Sequence, residues 1–231
     1  MINTTIVAFL ALSRSLLPLP DFNSALMQIE SEWATIQYQK NPQDQAIHFP
    51  LLLKKIHLLR QHYPNNKEFQ VWEAIVMANN AAYETPFKAL QSLEAVRENL
   101  ENIVSSQPET LDGAALVTLG TLYYMVPGWP ISFGNKDQAQ HYLTQALAIN
   151  PTGIDTNYFY ADFLIQQGEY QKGHQYLQAA LQAPIRPTQT FADKQLKKLA
   201  EESIQKIRQQ SSLQDSYLPV FSGTSPWNKI P

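Results

Sequence analysis

Polar, aromatic and thioether side chains recur at helical spacing in three stretches of the chain, and together they could form one binding surface. They are Glu73, Met77 and Asn80, then Tyr124, and finally Asp155, Tyr158 and Asp162. Side chains three or four residues apart lie on one face of a helix. A surface that mixes tyrosines with carboxylates suits a peptide or a small amphipathic ligand, and its acids favour a cationic or hydrogen-bond-donating one. Tyr124 and Tyr158 fit packing between repeats equally well.

The sequence contains no pattern typical of a catalytic or metal-binding site. It has no G-x-S-x-G, G-x-G-x-x-G, phosphate-loop or H-E-x-x-H motif. None of its histidines is four residues from another, as a metal site on one helix would require; they are His48, His57, His62, His141 and His174. Cysteine is absent, which excludes disulfides and cysteine-ligated zinc. We therefore predict a protein that is not an enzyme and that needs no cofactor or metal.

The composition predicts one domain with a substantial core. The chain has 231 residues, of which 44% are hydrophobic and 16% charged. A chain of that length and apolar content can bury a single core. Its net charge of −3 gives no general attraction to nucleic acid or to anionic membranes. We expect no nucleic-acid partner.

Small residues and prolines repeat with a fixed period between positions 111 and 184. Pro151 and Pro184 lie 33 residues apart (184 − 151), close to the ~34-residue period of helix-pair repeats. Two antiparallel helices can approach closely only where their side chains are small. Residues that meet this need recur in both copies: Gly120, Ala139 and Ala146, then Ala161, Gly173 and Ala180.

These patterns predict an all-α fold, a right-handed α-solenoid of about four helical hairpins over residues 21–210, with a C-terminal capping helix. A first helix should begin at Asp21 or Asn23. Its partner contains Pro50, which either lies inside the helix and kinks it or occupies its first turn. The last helix should begin at Thr188 or Thr190 and cover the final apolar face, as a stacked array requires.

The two ends of the chain fall outside this repeat domain. Residues 1–20 are apolar but interrupted by Arg14, so they predict either a degenerate export signal or an ordinary first helix. No apolar run approaches the ~20 residues of a membrane span. Residues 211–231 predict an extended aromatic tail. Three arrangements of this tail are consistent with the sequence: it folds back on its own molecule, packs on a neighbouring molecule or lies free in solvent. The second arrangement would form a homo-oligomer.

The loop at 125–134 interrupts the third hairpin. From Gly120 to Ala139 the chain has 19 residues (139 − 120), where the repeat pattern has about twelve. The inserted segment includes Val126-Pro127-Gly128-Trp129-Pro130 and Phe133. Large aromatic side chains favour burial, so we expect an ordered loop. It either fills a gap between helices or forms a wall of a binding cavity.

Several of these segments together resemble a known family. They are the 119–124 and 126–134 segments, Ala146-Leu-Ala-Ile-Asn-Pro151, Gly153-Ile-Asp155, Asn157-Tyr-Phe-Tyr160 and Ala183-Pro184-x-Arg186-Pro187. The chain resembles a bacterial tetratricopeptide-repeat family of the cell envelope, and its loop is similar to that of the helical component associated with TRAP transporters. The resemblance implies a periplasmic, non-catalytic binding protein. A chain without an export signal would instead be cytoplasmic.

Two functional hypotheses follow. In the first, a scaffold binds a protein or peptide segment, such as part of a transporter component, on its concave helical face. In the second, an accessory subunit of a transport system binds a small molecule in an apolar cavity walled by the 125–134 loop. A closed cavity touching Trp129 or Phe133 favours the second hypothesis. An open groove lined by Tyr124 and Tyr158 favours the first.

Overall fold

The computed structural model describes residues 20–212, with side chains as far as residue 209. The predictions for the N-terminal segment and for the aromatic tail therefore lie almost wholly outside the described residues. Within that range the chain forms nine α-helices and two short 3₁₀ turns, at Thr110–Gly113 and Pro187–Gln189. The helices are α1 (Phe22–Gln39), α2 (Pro42–His62), α3 (Lys67–Ala81), α4 (Pro86–Ser106), α5 (Ala114–Met125), α6 (Lys136–Ile149), α7 (Ile154–Gln166), α8 (Tyr170–Gln182) and α9 (Thr190–Ser212).

Side-chain caps set where several of these helices begin. The Asp21 carboxylate accepts a hydrogen bond from the Ser24 backbone N–H at 3.1 Å, which confirms the predicted start of α1. Asn41 caps α2 through the Asp44 N–H at 3.0 Å. Asn135 caps α6 by accepting from two backbone N–H groups. Each cap satisfies donors that the first turn of a helix leaves free.

Pro50 lies inside α2 rather than in its first turn. Helix α2 begins at Pro42, eight residues earlier (50 − 42), so of the two predicted alternatives the one with Pro50 in the first turn is excluded. Pro42 occupies the first helical turn, where a missing N–H has no consequence. Phe49 and Leu52, on either side of Pro50, are buried, so packing holds the helix together across the proline.

The small residues predicted at helix crossings lie at those crossings. A Cβ added to Gly120 would come within 2.5 Å of Leu143 Cγ and 3.2 Å of the Ala139 carbonyl oxygen, both on α6. The second copy repeats this geometry on α7 and α8. A Cβ at Gly173 would meet Ile165 Cγ1 at 2.6 Å and the Ala161 carbonyl oxygen at 3.2 Å. The two hairpins therefore nest by the same device, as the repeat pattern indicates.

The helices pack in neighbouring pairs as an all-α solenoid of the tetratricopeptide type. The even-numbered helices α4 and α8 each bury one stripe, such as Leu93 and Leu100 on α4. Helices α3, α5 and α7 are buried on several faces, because they contact their hairpin partner and also each other across the array. These odd-numbered helices line the inner side of the stack.

Helix α9 covers the last apolar face, as predicted, and it also returns to α1. Leu196, Ala200 and Ile204 are buried against α7 and α8. Near the start of α9, the ring of Phe191 lies 6.3 Å from that of Tyr38 on α1, edge to face. No spacing in the sequence predicts this contact between the first and last helices. It closes the inner side of the array within residues 20–212.

Among the helices between residues 20 and 212, none combines the length and the apolar character needed to cross a membrane.

Replacing Gly120 with valine should destabilise the third hairpin, because the new side chain would collide with Leu143 and with the α6 backbone. We expect a loss of about 1–3 kcal/mol or more in the free energy of unfolding, measured by urea denaturation. Gln140→Val, at an exposed site on α6, controls for the helix propensity of valine. Equal stability of the two variants would show that α5 and α6 do not cross at Gly120.

Candidate binding site

A cavity of about 90 Å³ lies on the inner side of the array. Its walls come from all five odd-numbered helices, represented by Trp33 on α1, Trp72 on α3, Val117 on α5, Phe159 on α7 and Ala192 on α9. It is partly open and mainly apolar. Since α9 supplies one wall, the cavity depends on the return of the last helix to the first.

Two tryptophans form the aromatic wall of this cavity. The Trp33 indole N–H donates to the Asn79 side-chain oxygen at 2.8 Å, which fixes the orientation of its ring. The Trp33 and Trp72 ring centroids are 5.3 Å apart and the rings are tilted by 58°. Such a pair is stabilised by its edge and face contacts beyond the area it buries.

The indole N–H of Trp72 has no hydrogen-bond partner among the described residues, although the side chain is only 5% exposed. A buried donor without an acceptor costs about 1–3 kcal/mol. Trp72 lines the cavity, but its Nε1 atom is closed off from solvent, so the cavity is bounded by the ring and not by this donor.

An ion network forms the polar wall. The Arg186 guanidinium donates to both Asp155 carboxylate oxygens, at 2.8 and 3.1 Å, and it also binds Asp193. Asp193 is fully buried and also accepts from the Arg186 backbone N–H at 2.7 Å. These bonds join the start of α7, the segment after α8 and the first turn of α9. Burial lowers the pKa of Arg186, but Asp155 and Asp193 together raise it by more, so the guanidinium stays charged.

A carboxyl group on α1 completes this region. Burial raises the pKa of Glu30 to about 7, and the nearby Asp155 and Asp193 raise it as well. The Gln189 amide, which donates to Glu30 at 2.9 Å, and the Arg186 charge act in the opposite direction. Gln189 precedes α9, so this hydrogen bond is another contact between the two ends of the helical array.

The residues predicted from the sequence are distributed over several environments. Asp155 lines the cavity. Tyr124 donates to Asp162 at 2.6 Å, and burial raises the pKa of that carboxyl group. Tyr158 is 1% exposed and belongs to the core shared by α7, α8 and α9. Asp155 is thus the member of the predicted set that the structure brings to this cavity.

The residues predicted on α3 make local contacts. Glu73 is ion-paired with Arg60. Asn80 donates to Glu84 at 3.2 Å, and Met77 packs against the main core. None of the three lines the cavity described here.

The 125–134 loop is ordered, but its two aromatic residues have different roles. Phe133 packs edge to face on Tyr123 at 5.4 Å, and the Arg97 guanidinium lies over its ring at 5.3 Å. Trp129 is 90% exposed, so the expectation that it is buried is wrong. Backbone hydrogen bonds, such as Gly134 N–H to the Pro127 carbonyl at 3.0 Å, hold the loop without it. The loop does not line the cavity on the inner side.

Three residues that line the cavity were not predicted from the sequence: Trp33, Trp72 and Arg186. The tryptophans stand among the apolar positions of α1 and α3, where helix packing alone accounts for them. Arg186 belongs to the Ala183-Pro184-x-Arg186-Pro187 segment, which entered only through the family resemblance. Its partners lie 31 and 7 residues away, so spacing alone could not pair them.

The described residues contain no group of three or more histidine, aspartate or glutamate side chains able to hold a metal ion. A family model described as a tetratricopeptide repeat matches residues 131–184, which include α6, α7 and α8. The match supports a tetratricopeptide-type protein. Proteins with such repeats generally act as interaction scaffolds. A comparison with curated proteins finds no match.

Replacing Arg186 with methionine should leave the buried Asp193 carboxylate without a cation. We expect a loss of about 3 kcal/mol in the free energy of unfolding, because a buried charge without its partner is costly. The double variant Arg186→Met/Asp193→Asn removes that charge and should recover much of the loss, as measured by urea denaturation. A double variant as unstable as the single one would contradict this account of the network.

The pKa of Glu30 predicts a pH dependence of stability. The folded protein keeps this carboxyl protonated up to about pH 7, whereas in the unfolded chain its pKa has the ordinary value of 4.5. The contribution of Glu30 to stability is therefore full below pH 4.5 and is lost as the pH rises through 7. Glu30→Gln should be more stable relative to wild type at pH 7.5 than at pH 4.5, by about 3 kcal/mol. A pH-independent difference in the free energy of unfolding would contradict the raised pKa.

Proposed function

We propose that this protein is a non-catalytic helical-repeat scaffold that binds a short segment of a partner protein on its inner, concave side. The observation that carries the proposal is the aromatic cavity that the five odd-numbered helices form on that side of the array. Scaffolds of stacked helical pairs use such concave surfaces for binding. In this proposal one side chain of the partner enters the cavity and the rest of the segment follows the inner helices.

The size of the cavity favours a single side chain over a complete small molecule. Sites for drug-sized ligands typically enclose about 300–1,000 Å³. The cavity here has about 90 Å³, which holds one side chain or a few waters. The alternative function, a small-molecule-binding accessory subunit of a transport system, therefore has less support. That alternative also places the 125–134 loop in the cavity wall, and this cavity has other walls.

Of the surface predicted from the sequence, we propose Asp155 as a direct contact, because it lines the cavity and remains about a third exposed. Trp129, exposed on the 125–134 loop, is proposed as a second, separate contact. A transporter component as partner, and a periplasmic location, are proposals that rest on the family resemblance of the sequence.

Selection of a random heptapeptide library on the purified protein tests the proposed function. Peptides that bind should lose affinity for Ala192→Leu, whose larger side chain fills the cavity from α9. Lys194→Leu makes a comparable change at an exposed site on the same helix, and binding to it should be retained. Calorimetry with the selected peptides measures both variants. Peptides that bind Ala192→Leu as tightly as wild type would overturn the inner-side site.

A further inference from the structure

The outer side of α2 carries a stripe of large aliphatic side chains that are more than half exposed. Ile47, Leu51 and Leu58 are 60%, 52% and 60% exposed. Their spacing places them within about 40° of one another around the helix axis. The side chains that α2 buries in the core, such as Phe49 and Ile56, point to the opposite side. A stripe this narrow is typical of a seam between two helices, whereas a helix that lies on a membrane has a broad apolar face.

Two opposite charges extend this stripe with a regular spacing. Asp44 precedes Ile47 by three residues, and Lys54 follows Leu51 by three residues. Steps of three and four residues keep all four side chains on one face of the helix. The order along that face is therefore an acid, two aliphatic side chains and a base, and its spacing is the same when read from either end.

The other charged side chains of α2, histidines aside, are already paired. Lys55 donates to Glu32 on α1 at 2.8 Å. Arg60 is ion-paired with Glu73 on α3. Within residues 20–209, neither Asp44 nor Lys54 forms an ion pair, although Asp44 also accepts a hydrogen bond from the Asn41 side chain at the start of the helix. These two charges are thus available to a partner.

The stripe complements a second copy of itself that runs in the opposite direction. In such a pair Asp44 of one helix faces Lys54 of the other. Ile47 of one helix then faces Leu51 of the other, and the two-fold axis repeats both contacts. A parallel pair would instead place aspartate against aspartate and lysine against lysine. The charges therefore select the antiparallel arrangement.

From this self-complementarity we propose that the outer stripe of α2 joins two copies of this protein in an antiparallel, two-fold symmetric dimer. Two Asp44–Lys54 ion pairs form the ends of the contact. Between them, Ile47 of each copy packs on Leu51 of the other. Leu58 lies one turn beyond Lys54 and faces the segment that precedes α2 in the other copy. A single helix pair is a small interface, so the dimer is weak and depends on protein concentration.

This contact is independent of the proposed function. None of the residues that line the inner cavity belongs to α2. A dimer formed through α2 therefore leaves the lining of both cavities unchanged. It presents two sites to one partner, and a partner with two binding segments would gain affinity because its second segment binds at a raised effective concentration.

Sedimentation equilibrium of the full chain over a range of concentrations up to about 1 mM tests the dimer. Wild type should show a reversible monomer–dimer equilibrium. Lys54→Asp places aspartates opposite each other, and Asp44→Lys places lysines opposite each other. Each variant should weaken dimerisation by about tenfold or more, because like charges then meet at both ends of the contact. Lys136→Asp makes the same charge change at an exposed site on α6 and should dimerise as wild type does.

A mixture of the two stripe variants separates the ion pairs from damage to the fold. The Asp44→Lys variant has two lysines in its stripe, and the Lys54→Asp variant has two aspartates. Opposite charges therefore meet at both ends of the mixed dimer. An equimolar mixture should dimerise about as tightly as wild type, although each variant alone is mainly monomeric.

The aliphatic contacts have their own variant. Leu51→Gln should weaken the dimer, whereas Phe87→Gln, which removes an exposed apolar side chain from α4, should not.

Several results would overturn the dimer. They are a wild-type protein that stays monomeric up to about 1 mM, single charge variants that dimerise as tightly as wild type, and a mixture that stays monomeric. None of these results would affect peptide binding in the inner cavity, which Ala192→Leu tests separately. Loss of peptide binding in that variant would likewise leave the α2 contact standing.

Discussion

The ion network around Arg186 is the constraint on which the inner surface depends. A guanidinium between two carboxylates fixes the first turn of α9 against the start of α7. Loss of Arg186 would lower the stability of the fold strongly, because Asp193 is fully buried and a buried carboxylate needs a cation beside it. From that position α9 reaches α1, where Gln189 bonds to Glu30 and Phe191 meets Tyr38. Helix α9 thereby forms one wall of the cavity, and an array whose last helix did not return to the first would lack that wall.

The close crossings at Gly120 and Gly173 determine the rest of the geometry. Each glycine lets its helix approach a carbonyl oxygen of the partner helix, so α5 packs closely on α6 and α8 packs closely on α7. Helices α3, α5 and α7 also contact one another, which buries them on several faces and brings Trp72, Val117 and Phe159 to one cavity. The small volume of that cavity follows from the same tight packing, and it limits what can bind there.

The sequence predicted the local structure well, because local structure depends on local chemistry. The Asp21 cap acts within one helical turn, and the small residues of one hairpin recur 34 positions later in the next (173 − 139). The cavity could not be predicted in the same way. The curvature that brings α9 to α1 is the sum of small rotations between repeats, which no single residue specifies. Trp129 was expected to be buried because of its size, but backbone hydrogen bonds and Phe133 hold its loop.

The cavity depends most on the packing of α9 against α1, so the distance between these two helices is the quantity to measure. The chain has no cysteine, so spin labels can be placed at Gln28→Cys on α1 and Lys194→Cys on α9 without other changes. Both sites are exposed, so the labels should not disturb packing. Pulsed electron paramagnetic resonance should give a single narrow distance distribution, centred where the structure places the two labels. A broad distribution, or one centred at a much longer distance, would show that the array is open and that the cavity lacks its fifth wall.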